Sequence, residues 1–95
     1  MNKIKKKLEE LVFKAIDITN EAQEENFKID RDHNELVKGS GSKLDSTGLI
    51  NFLLNTEEII TQNNLKCPDL FSFIQKHDKK IYLNDIINHI STVNT

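Results

Sequence analysis

A chain of 95 residues with a formal net charge of -2 suffices for one self-folding domain, taken as 1–95, but not for a second core or a deeply walled active site. Its one cysteine, Cys67, excludes an intramolecular disulfide, and no apolar run reaches bilayer-spanning length, so a protein of the reducing cytoplasm is expected. The start, Met1-Asn2-Lys3-Ile4-Lys5-Lys6-Lys7, is basic, yet Leu8 runs directly into Glu9 and Glu10, which denies it the apolar stretch of a signal peptide.

The charge is uneven. Residues 1–14 hold five Lys against two Glu, and 15–35 hold seven acids against Lys28 and Arg31. From Ser46 to Leu65 there is no Lys or Arg. A recognition helix on DNA draws most of its affinity from phosphate neutralisation, so nucleic acid is not an expected partner.

In chain order, Ile4, Leu8, Leu11, Ala15, Ile18 and Ala22 recur at steps of three and four, which predicts a first amphipathic helix with that stripe buried. Glu24 to Lys43 is rich in Asp, Asn, Gly and Ser and reads as a long loop; Phe27, Ile29, Leu36 and Val37 are the apolar residues expected to pin it to the bundle. A second helix starts at Asp45-Ser46, both good N-cap types, runs through Leu49, Phe52, Leu53, Thr56 and Ile60, and ends around Gln62 to Asn64. Pro68 suits the first turn of a short third helix through Leu70, Phe71, Phe73 and Ile74. After His77 to Lys80 breaks the pattern, Leu83, Ile86, Ile87 and Ile90 mark one face of a fourth helix. No stretch alternates well enough to predict a strand. The fold class is all-α, with Leu49, Leu53, Phe71, Ile74, Ile86 and Ile87 as the expected core.

Three signals fail on spacing. Asp30-Arg31-Asp32-His33-Asn34 opens like a calcium loop, but Glu35 stands where Gly belongs and Gly41 where the bidentate acid belongs. His33, His77 and His89 have no metal-ligand spacing with Cys67, and His89 is expected to pack beside the core with one satisfied nitrogen. Cys67 reads as a small, partly buried hydrophobe. No metal site and no catalytic set is assigned, so the chain is not expected to be an enzyme.

The segment from Leu36 to Glu58 carries the strongest pattern. It has glycines at Gly39 and Gly41, then Leu44-Asp45-Ser46 at a helix start, then Glu57-Glu58 near the helix end. On chemistry alone Ser46 is an N-cap whose hydroxyl bonds a free backbone N–H, with Asp45 competing for that role. The segment is also similar to the prosthetic-group region of acyl carrier proteins, and Tyr82 to Ile90 resembles that family's last helix. The resemblance implies a carrier-type four-helix bundle with a long loop between helices one and two and a short third helix. It also implies 4'-phosphopantetheine attached to Ser46, with Asp45 supporting the modification. The arm's thiol would carry an acyl or aminoacyl thioester.

The implied partners are a phosphopantetheinyl transferase, an acyl- or aminoacyl-loading ligase and downstream acyl-transfer enzymes, and the carrier is expected to be a monomer. Thr47 departs from the family's usual Leu after the modified serine. Ile50 and Leu54, off the core stripe of helix two, either pack beneath helix three and the loop or form, with Thr47, Glu57 and Glu58, a face that partners grip. Between helices two and three the core could shelter a lipid-like cargo. The alternative from another class is an unmodified helical interaction module related to carrier proteins.

Overall fold

The structure is a computed structural model and describes residues 3–77 and 79–94. Four α-helices carry it among the described residues: α1 (Lys3–Glu21), α2 (Ser46–Gln62), α3 (Leu70–Lys76) and α4 (Leu83–Thr92). A 3-10 turn at Glu25–Phe27 lies in the first connection, and the second helix begins and ends where capping residues predict.

Strands are the correction to an all-helical reading. Leu36–Lys38 (β1) and Ile81–Tyr82 (β2) pair antiparallel, Leu36 opposite Tyr82 and Lys38 opposite Ile81, with a bulge between. Two or three residues are too few to show a period of two, so only the tertiary fold reveals the pairing. Val37 and Ile81 both point into the core. The ladder makes Gly39 obligatory: its φ is +120°, and a Cβ there would fall 2.8 Å from Lys80 Cγ.

The core runs through all four helices and both strands, with Leu8, Val12, Ile16, Phe52, Ile60, Leu83, Ile86, Ile87 and Ile90 fully buried. On α1 the buried stripe is rotated from the expected one. Leu8, Leu11 and Ala15 are common to both, but Val12, Ile16 and Thr19 replace Ile18, which is 45% exposed, and Ala22, which lies exposed beyond the helix end. Two stripes sharing residues are equivalent by periodicity; α2 selects between them. Thr19 is tolerated inside because its Oγ1 donates to Ala15 O (2.7 Å) and accepts from Asn55 Nδ2 (3.0 Å).

On α2 and α3, Leu53 and Ile74 are buried as expected, whereas Leu49 and Phe71 are only partly buried against the core. Pro68 stands ahead of α3 rather than in its first turn, which is capped instead by Asp69: its carboxylate accepts from Ser72 N (3.1 Å) and Ser72 Oγ (3.0 Å). Those bonds, the backbone one foremost, hold the Asp69 pKa below its ordinary value.

The long connection is pinned by Ile29 and Val37, with Leu36 partly buried, while Phe27 stays 37% exposed. Polar contacts that periodicity does not register hold it as well. Asn20 Nδ2 donates to Ile29 O (2.9 Å) and Ile29 N donates to Asn20 Oδ1 (3.0 Å); Arg31 makes a forked pair with Asp17. The calcium-like run is organised by a cation of the protein's own, since Lys43 Nζ sits 3.3 Å from Asp30 and 3.4 Å from Glu35. No helix among the described residues is long and apolar enough to cross a membrane.

Candidate functional site

The start of α2 is built by one cap. Asp45 has extended backbone angles, and its Oδ1 accepts from Gly48 N at 2.7 Å. The first intrahelical bond runs from Leu49 N to Asp45 O at 2.9 Å. Capping therefore falls to Asp45, and Ser46 becomes the first residue inside the helix. Its side chain is exposed, and among the described residues nothing accepts from or donates to its hydroxyl. The N–H groups of Ser46 and Thr47 likewise have no acceptor among the described residues. The Asp45 carboxylate meets part of the positive end of the helix dipole; no further acid stands in the first turn, and the N–H groups of Ser46 and Thr47 face outward.

Behind this open end the packing is tight. Gly48 is buried, and a Cβ there would lie 2.3 Å from Gln23 Nε2 and 3.2 Å from Asp45 Oδ1. Gln23 thus rests its amide directly on the Gly48 backbone, with its Nε2 buried and without a hydrogen-bond partner among the described residues. Leu44, buried just before the cap, anchors the approach. The Gly39 to Ser42 turn is closed by Ser42 N donating to Gly39 O (3.0 Å) and Ser42 Oγ donating to Val37 O (3.1 Å). Ser46 therefore presents an exposed hydroxyl on a well-anchored helix start.

Along α2, Phe52, Leu53, Thr56, Ile59 and Ile60 face inward. Thr47, Glu57 and Glu58 are exposed, as are Ile50 at 46% and Leu54 at 48%. These two apolar residues pack under neither helix three nor the loop; they stand one turn apart on the outer surface with both acids beyond them.

The other candidates resolve into structural roles. His89 stacks on Phe73 with ring centroids 4.1 Å apart and planes 15° from parallel, which bears out its packing role, and among the described residues no side chain or backbone group bonds its ring. Burial, then the neighbouring His77, lowers its pKa. His77 Nδ1 lies 2.8 Å from Phe73 O and closes the end of α3. A shallow surface hollow of about 580 Å³ lies beside these rings, lined also by Asp69, Ser72 and Lys76 and by no residue of α2. Cys67 is half-buried against the core, and burial, with Glu57 second, pushes its thiol up to about 11. Among the described residues no group of three His, Cys, Asp or Glu side chains is arranged to hold a metal ion.

The sequence pattern singles out Asp45 and Ser46 but not Gln23, whose signal is the glycine at Gly48 against which its amide packs. No family model matches this chain, and comparisons with curated proteins and with solved structures likewise gave no match.

Proposed function

We propose that the chain is a carrier protein in which Ser46 receives 4'-phosphopantetheine from coenzyme A through a separate transferase. The observation that carries this reading is the division of labour at the start of α2: Asp45 caps the helix and leaves the Ser46 hydroxyl exposed and unengaged. A serine acting as an ordinary cap would have spent its hydroxyl on the backbone.

The surroundings fit the group. A phosphodiester on Ser46 Oγ would meet the unpaired N–H groups of Ser46 and Thr47 and the positive end of a 17-residue helix. When bound, the arm supplies a thiol that holds an acyl or aminoacyl unit as a thioester. The chain's own residues do the rest. Asp45, Gly48 and Gln23 fix the attachment point. Ile50 and Leu54 give partner enzymes an apolar strip, and Glu57 and Glu58 steer basic partners toward it. The partners are the transferase, a loading ligase and acyl-transfer enzymes, met by a monomeric carrier in the cytoplasm. Leu53 of α2 and Ile74 of α3 are both buried in the core, so a lipid-like cargo would have to displace packed side chains to enter it.

The test is the intact mass of the purified protein after incubation with coenzyme A, magnesium and a broad-specificity phosphopantetheinyl transferase. A gain of one phosphopantetheine in the wild type and none in Ser46→Ala supports the reading. No gain with several transferases, persisting when Thr47 is changed to Leu, overturns it. The exposure of Ile50 and Leu54 favours a second reading in that event, an unmodified interaction module. There Ser46→Ala leaves partner binding intact and Ile50→Asp abolishes it.

A further inference from the structure

One side chain of the long connection reaches two helices at once. His33 Nε2 lies 3.0 Å from Glu9 Oε1 on α1, and Nδ1 lies 3.0 Å from Asn84 Oδ1 on α4. Both facing atoms are oxygens. A neutral imidazole has one N–H and one lone pair, so it can donate to only one of them; the imidazolium donates to both. The same stretch of backbone closes the start of α4, where Leu83 N donates to Glu35 O (2.8 Å) and Asn84 N donates to His33 O (3.0 Å). The ring contact and the cap of α4 therefore depend on the same few residues.

We infer that His33 is a proton-operated latch, which as an imidazolium fastens the 30–35 segment to both α1 and α4 and on losing its proton lets go of one of them. The groups facing it from α1 are Glu9, which favours the proton, Lys5, which opposes it, and the Phe13 ring, edge-on at 6.1 Å. From α4 the neutral amide of Asn84 faces it. On its own segment Asp32 is engaged by Asn34 N, and Glu35 by Asp30 N and Lys43. Without the proton, Nε2 can keep its bond to Glu9 while Nδ1 turns a lone pair toward Asn84 Oδ1, so the α4 contact is lost unless the Asn84 amide rotates to present Nδ2. The hydrogen bonds to Asn84 and then Glu9 raise the His33 pKa above its ordinary 6.5, against burial and Lys5. A raised value means that the latch contributes fully below 6.5 and is lost as pH climbs through the folded-state pKa. This device is independent of whether Ser46 carries an arm.

The experiment is an NMR titration of the histidine rings between about pH 5 and 8, with amide hydrogen exchange of Leu83 and Asn84 corrected for intrinsic rates at each pH. Burial and then His77 lower the His89 pKa, the opposite direction from His33, and His33→Gln assigns the His33 signal by its loss. The expected result is a His33 midpoint above 6.5 and a several-fold fall in Asn84 protection that tracks it. Glu9→Gln lowers the midpoint, and His33→Gln makes the protection independent of pH. A midpoint at or below 6.5 that Glu9→Gln does not move, or protection that ignores the titration, overturns the latch.

Discussion

The starts of α2 and α4 solve the same problem in opposite ways. Each opens a helix with backbone N–H groups that lack intrahelical acceptors. At α4 the first two are engaged: Leu83 and Asn84 donate to carbonyls of the long connection, and ahead of them Tyr82 N donates to Asp85 Oδ2 at 2.9 Å, while Leu83 itself is fully buried. At α2 only Asp45 caps, and the first residue inside is an exposed serine with a free hydroxyl. A sealed start fixes a helix in the fold. An open, anchored start leaves donors and a positive dipole available to an anion attached there.

Substitutions can break this contrast. The largest effect is on modification: Ser46→Ala is expected to remove the whole mass gain while leaving the thermal midpoint nearly unchanged, since the lost hydroxyl has no partner among the described residues and exposed positions shift stability by about 0.5 kcal/mol or less. Next, Leu83→Ala leaves a hole at the sealed start and should cost about 2–5 kcal/mol in denaturant unfolding; a smaller loss would mean that α4 collapses onto the gap. The two caps give a finer comparison. Asp45→Ala and Asp85→Ala should each cost about 0.5–2 kcal/mol, but only the first should slow transfer of the arm. Equal slowing by both would mean that helix stability, not the local geometry at Ser46, governs modification. The smallest change in stability is expected for Ile50→Asp, within about 0.5 kcal/mol, and the binding of partner enzymes should nonetheless weaken.

Much of the open start was legible in the chain. The Leu44-Asp45-Ser46 run, the helix that follows and its base-free outer face are local features, and capping preference operates over three or four residues. Which of Asp45 and Ser46 caps was not legible, because both residue types perform that role; in the fold it is Asp45 that accepts from Gly48 N. The sealed start was less legible still. Its partners, His33 and Glu35, stand some fifty residues upstream, and no periodicity connects them.

The sequence by itself determined the four helices found among the described residues and their approximate limits, because helical periodicity and caps are short-range properties. Tertiary structure decided which stripe of α1 is buried, that Leu36–Lys38 pairs with Ile81–Tyr82, and that Ile50 and Leu54 face outward. Those outcomes depend on which surfaces meet. Overlapping apolar stripes on one helix are equivalent until a neighbour covers one of them, and a strand of two residues has no period of its own until another strand lies beside it.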